Sequence, residues 1–171
     1  FYSPEEERQI YGYGLRIKEG KTFDLFVWND LWFSTYCCYE LASIKNRCLF
    51  LSYIDLLSVV EWNRDINYYS NIIESLSRDM HCYCVQVNSS NYGDSRITQP
   101  SKTELKDIIR TKGGLNETVL IGEIDINSLR NFQLKKYELQ KDDKHFKPTP
   151  PNFKRDIVEK RIKGTLFDNI N

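Results

Sequence analysis

Residues 31–39 and 82–87 are strand-length runs without a single charged side chain, and residues 54–60 form a third run broken only by Asp55 and Ser58. Strands that read as continuous apolar runs are buried on both faces, which is the habit of parallel sheets covered by helices. Between the second and third run, Ile66, Tyr69, Ile73, Leu76 and Met80 recur at helical spacing, with Arg64, Asn67, Glu74 and Asp79 on the other side. Asn63 or Asp65 is the expected cap of this helix. Strand, elbow, helix, strand, helix, strand, then a β-rich end predicts a layered α/β fold, with its chemistry outside the carboxyl ends of the strands.

The flanking segments complete this plan. Residues 10–18 read as a strand, the Glu19-Gly20-Lys21 turn returns the chain into a strand over residues 23–28, and Asn29-Asp30 makes the next turn. Residues 88–94 are loop-like, and residues 97–100, 104–111 and 118–126 read as three further short strands. Charge then dominates residues 135–147, prolines 148, 150 and 151 stiffen the chain, and residues 153–164 suit a charged helix. The expected division is therefore a main body over 1–131 and a charged extension over 132–171.

Composition removes several function classes. Lys and Arg number 24, as do Asp and Glu, so nothing favours general binding of polyanions. No run approaches the roughly 18 apolar residues of a membrane span. Five cysteines, two of them adjacent at 37 and 38, make a poor disulfide framework and point to a reducing, cytoplasmic setting. The opening Phe-Tyr-Ser-Pro-Glu has neither a Met nor a signal segment and reads as a piece of something longer.

The sharpest chemical feature is Thr35-Tyr36-Cys37-Cys38-Tyr39-Glu40. A cysteine at the end of a buried strand is either a small core hydrophobe or a nucleophile whose following turn offers backbone N–H groups to an oxyanion. Cys37 points to the opposite side from Cys38 and is expected in the core. His81-Cys82-Tyr83-Cys84 lacks a second ligand pair and is read as core rather than metal site. His145 is expected to be solvated, and the basic helix near the end is mixed with acids, so a solvated face is favoured over nucleic-acid contact.

Cys38-Tyr39-Glu40 after an apolar strand resembles the nucleophile motif of the nitrilase, or carbon–nitrogen hydrolase, superfamily. The order that follows is similar too: Ile54-Asp55-Leu56-Leu57 as the next core strand, Glu61-Trp62-Asn63 at the pocket loop, the helix, and Gly93-Asp94-Ser95-Arg96-Ile97-Thr98-Gln99-Pro100. Glu117 to Arg130 resembles the family's closing strand and turn. The resemblance implies the C-terminal part of an αββα sandwich and a Glu-Lys-Cys triad, with Cys38 the nucleophile attacking a nitrile or amide carbon. It implies Tyr39 and Glu40 at the oxyanion elbow, Glu61, Trp62 and Asn63 lining the pocket, and an accessory acid, for which Glu6 is the candidate. The triad Glu and Lys are expected before Phe1. No metal or cofactor is implied; the partners are a small amide or nitrile and a second copy of the chain, dimerising through residues 68–73 and 42–48. The alternative expectation is a degenerate nitrilase-like interaction or regulatory module of a larger protein, such as a bacterial reverse transcriptase of antiviral type; nucleic acid enters only through such a fusion.

Overall fold

The computed structural model describes residues 2–18 and 20–168. Its centre is a six-stranded sheet in sequence order: β1 (Phe26–Trp28), β2 (Leu31–Cys37), β3 (Leu56–Glu61), β4 (Tyr83–Asn88), β5 (Arg96–Thr98) and β6 (Asp107–Arg110). The three apolar runs form the parallel heart, β2 beside β3 beside β4, and β1, β5 and β6 add antiparallel margins. A 3-10 turn (Cys38–Ala42) and the short α2 (Ile44–Arg47) follow β2, and α3 (Ile66–Met80) joins β3 to β4 as a crossover.

The period-2 alternation of the strands assigns two unlike faces. Ser34 and Tyr36, Leu57 and Val59, Cys84 and Gln86, and Arg96 and Thr98 are buried. Onto this face α3 packs Ile72, Ile73, Leu76 and Met80, each contributing about 1.5–3 kcal/mol of burial. Thr35, Cys37, Val60 and Val87 occupy alternate positions and are exposed. Cys37 is thus not a core residue: the helix covers the other face of β2, and the thiol is left outside. α3 itself begins as expected, with the Asp65 carboxylate accepting from Tyr68 N at 3.3 Å, and it ends at His81 in the left-handed conformation.

Three sequence expectations are corrected. Residues 10–18 do not form a strand: Pro4–Gly12 is helix α1, closed by a capping box in which Glu6 Oε2 accepts from Ser3 N at 2.6 Å. Consequently β1 pairs with β2 through the Asn29-Asp30 turn, both residues at positive φ, rather than with a preceding strand. Residues 118–126 join no ladder, and α4 (Ile126–Leu134) starts where a closing strand was expected.

The chain then folds back over the start of the parallel strands. Leu129 and Phe132 of α4 pack with Tyr83 and Phe146. α5 (Tyr137–Lys141) leads to α6 (Arg155–Lys163), which buries Ile157, Val158 and Arg161 while Lys160 and Lys163 stay exposed. Asp55, fully buried, accepts from Arg130 Nε at 3.0 Å and Arg130 Nη2 at 2.7 Å, from Arg161 Nη1, and from Trp32 N at 3.1 Å. His81 stacks on Phe132 with ring centroids 5.3 Å apart. Its Nδ1 faces the Gln133 amide donor, so Nε2 carries the hydrogen and donates to Lys147 O at 2.8 Å.

Candidate functional site

The site lies where β2, β3 and β4 end. Cys38 opens the 3-10 turn directly after β2 and is half-buried against the core under α3. The turn has its own brace: Glu40 Oε2 accepts from Cys37 N at 2.7 Å, and Asn46 Nδ2 donates to Glu40 O at 3.2 Å. Glu40 therefore fixes the elbow that presents Cys38. Tyr39 projects outward and is exposed.

Burial pushes the Cys38 thiol above its ordinary pKa. Hydrogen bonds from the Trp62 backbone and the Tyr69 hydroxyl pull it back, and the charges of Glu61 and Glu6 push it up again. Among the described residues, the charged groups acting on this thiol are thus both acidic. Tyr69, buried on the first turns of α3, holds its proton more tightly than a free phenol because it is desolvated and lies beside Cys38.

Glu61 ends β3 with its side chain on the covered face, 5% exposed. Gln86 Nε2 donates to Glu61 Oε2 at 2.9 Å, and Arg96 Nε donates to Gln86 Oε1 at 3.1 Å. Arg96 in turn reaches Ser70 O at 2.6 Å and pairs with Asp107 at 3.5 Å. Among the described residues, Glu61 Oε1 has no hydrogen-bond partner. Burial raises the Glu61 pKa to about 7, opposed by the Gln86 hydrogen bond and by Arg96, and reinforced by Asp94.

The remaining expected pocket residues divide by role. Trp62 presents its backbone to Cys38 while its ring is 71% exposed. Asn63 is held by Asn88, which accepts from Asn63 N and donates to Asn63 O, both at 2.9 Å. Asn88 also donates to Gly93 O, where the chain crosses so close to Lys112 that a Cβ on Gly93 would sit 2.0 Å from a carbonyl oxygen. Glu6 is a helix-capping residue whose charge still reaches Cys38 and Cys37. His145 is exposed, Cys82 and Cys84 are buried in the core, and no group of three or more potential metal ligands occurs among the described residues. No helix among them is long and apolar enough to cross a membrane.

Sequence reasoning missed Tyr69, Gln86 and Arg96. The available signal was a polar residue at a core register: Gln86 shares its face with Cys84, and Arg96 pairs with it across the ladder. A cavity of about 720 Å³ lies between β4–β5 and residues 117–120; Gln86 and Arg96 are among its lining residues, and Cys38, Glu61 and Tyr69 are not.

No protein-family model matches the sequence, and no curated protein matches it. Solved structures do. XC1258 from Xanthomonas campestris, a CN-hydrolase superfamily protein with an arsenic adduct in its active site, superposes with a TM-score of 0.57 at 15% identity, over 81% of this chain and 56% of that one. The amidase from Nesterenkonia sp. AN1, a mutant with acrylamide added at the active-site cysteine, gives 0.56 at 13% identity over 82% and 54%. Another mutant of that amidase, in complex with butyramide, gives 0.56 at 12% over 83% and 53%. The chain spans little more than half the length of these proteins, which fits the C-terminal portion of their fold. At these identities the likeness establishes architecture alone, a nitrilase-like α/β fold.

Proposed function

We propose that residues 1–171 carry the nucleophile half of a carbon–nitrogen hydrolase that cleaves a small, non-peptide amide or nitrile, with Cys38 as the attacking group. The observation that supports this most is the placement of Cys38: a half-buried thiol on a braced turn at the carboxyl end of a parallel strand, facing the Trp62 backbone and the Tyr69 hydroxyl. The solved relatives include an amidase modified at its active-site cysteine and one bound to butyramide.

In this scheme the Cys38 thiolate attacks the amide carbon, and the carbonyl oxygen becomes an oxyanion held by backbone N–H groups of the elbow, Tyr39 among them, and by a lysine. The C–N bond breaks as a general acid protonates the departing nitrogen, leaving a Cys38 thioester. Water, deprotonated by the same group, then releases the carboxylic acid and restores the thiol. A thiol raised by burial and by two carboxylates needs a cation to ionise near neutrality. The base Glu and the Lys are accordingly assigned to chain outside these 171 residues, as is the second sheet that would cover Val60 and Val87. Association of two copies through exposed Tyr68 and Ile44 belongs to the same reading.

One observation favours a second reading. With only acids acting on it among the described residues, Cys38 alone is a protonated thiol, which suits a nitrilase-like module kept for interaction or regulation within a larger protein. Acrylamide labelling of the full-length protein separates the two. The hydrolase reading expects Cys38 to be alkylated at pH 7 much faster than in the urea-unfolded chain; a rate equal to or below the unfolded one sinks it.

A further inference from the structure

The relay Arg96, Gln86, Glu61 is more elaborate than sheet packing requires. Arg96 Nε fixes the Gln86 carbonyl, so the Gln86 amide nitrogen must face Glu61, and Glu61 Oε2 is thereby occupied. Among the described residues Oε1 is left buried and without a partner; Glu61 directly follows Val60, which pairs with Cys37 across β2 and β3, and its charge acts on the Cys38 thiol and the Tyr69 hydroxyl. A buried polar atom without a partner is costly in a folded chain, and a ligand that supplies the missing hydrogen bond recovers that loss. A site so built rejects analogues that cannot complete it.

We infer that Glu61 is a specificity-determining residue of the Cys38 site: Oε1 takes the N–H of an uncharged carboxamide, and the carboxylate turns away anionic ligands. This rests on Cys38 being the nucleophile. The charged groups around Glu61 are Asp94, which pairs with Arg110, and Arg96, which pairs with Asp107; Cys38 and Tyr69 face it from the elbow and α3, and Glu6 adds a negative charge at Cys38. The ion pairs largely neutralise the two on the β5 side, so the ionisation of Glu61 sets the local sign.

Two probes of nearly equal size test this, iodoacetamide and iodoacetate, on full-length protein in which exposed Cys37 and Cys48 are serine. The ratio of their rates at Cys38 is read by peptide mass spectrometry and divided by the same ratio in urea, which cancels intrinsic reactivity. At pH 8 the native ratio is expected to exceed the unfolded one about fivefold or more, as a like charge in a half-buried site implies. In Glu61→Gln it falls to within about twofold of the unfolded value. Without any variant, the wild-type ratio should decline as pH drops through about 7, where Glu61 takes up its proton. An unchanged ratio in Glu61→Gln together with a flat pH profile overturns the assignment of Glu61. Slow labelling of native Cys38 by both probes, with the ratio still dependent on Glu61, overturns the nucleophile reading instead.

Discussion

The two ends of the parallel strands are finished differently. At the start of β3, Asp55 has both oxygens filled twice, by Trp32 N and three guanidinium nitrogens from α4 and α6. At the end of the same strand, Glu61 has one oxygen filled once and the other not at all. Both carboxylates are buried. The first is saturated by cations delivered from residues 75 and 106 positions away, so it acts as a clasp holding the C-terminal helices on the sheet. The second is held by a neutral amide, keeps a proton to about pH 7, and has unused bonding capacity beside a thiol. The first carboxylate is closed off by counter-charges, and the second, among the described residues, leaves one oxygen open.

The largest effect expected from this contrast is at the clasp. Asp55→Asn leaves Arg130 and Arg161 buried without their counter-charge and should cost about 3–5 kcal/mol, read as a fall in the urea midpoint. A loss below about 1 kcal/mol would mean the helices are held by apolar packing alone. Glu61→Gln, by contrast, keeps the neutral form present at low pH, and its midpoint at pH 4, below the ordinary value of 4.5, should match the wild type.

The pH dependence sharpens the comparison because the ends titrate with opposite sign. His81, desolvated among Phe132, Phe146 and Phe153, has its pKa lowered to about 4. The unfolded chain then binds the extra proton first, so this contribution is present above the ordinary value of 6.5 and is lost as pH falls from there towards 4. Glu61 is raised, so the folded chain binds the proton first; its contribution is present below the ordinary value of 4.5 and is lost as pH rises from there through about 7. Stability measured from pH 4 to 8 in wild type and Glu61→Gln should differ in slope between about 4.5 and 7, with the variant rising more steeply. Parallel curves would place Glu61 in contact with water.

The smallest effect is expected at α1, which buries no residue. Ser3→Ala removes its cap and should destabilise the helix by about 1 kcal/mol, seen as faster amide exchange over residues 6–12 with no change in the global midpoint. A shifted midpoint would show that α1 is packed on the body.

The legible parts of this fold were those whose signal is local. The apolar runs gave β2, β3 and β4, the 3.6-residue spacing gave α3 with Asn63 or Asp65 as its cap, of which Asp65 is the one used, and the strand end at Cys38 gave the elbow. Helix α1 was also legible, since Ser3-Pro4-Glu5-Glu6 is a capping box with proline at the first position, yet the Tyr and Gly content of the next residues suggested a strand. Residues 118–126 have the composition of a strand but no neighbour to pair with, and strand propensity without a ladder specifies nothing. The exposure of Cys37 depends on which face α3 covers, and the clasp depends on Arg130, expected in a closing strand and turn, and on Arg161, in a helix whose composition reads as solvated. Both are tertiary facts. In the candidate site, Cys38, Glu40, Glu61 and Trp62 were expected from order along the chain, while Tyr69, Gln86 and Arg96 come next to them only through the fold.

In the proposed mechanism Cys38 is acylated during turnover. The direct measurement is intact-protein and peptide mass spectrometry of the full-length protein quenched in acid after mixing with a small aliphatic amide such as butyramide. An added acyl mass is expected on the peptide containing Cys38, removed by hydroxylamine and absent in Cys38→Ala. Ammonia released with no acyl mass on that peptide, or undiminished in Cys38→Ala, would contradict it.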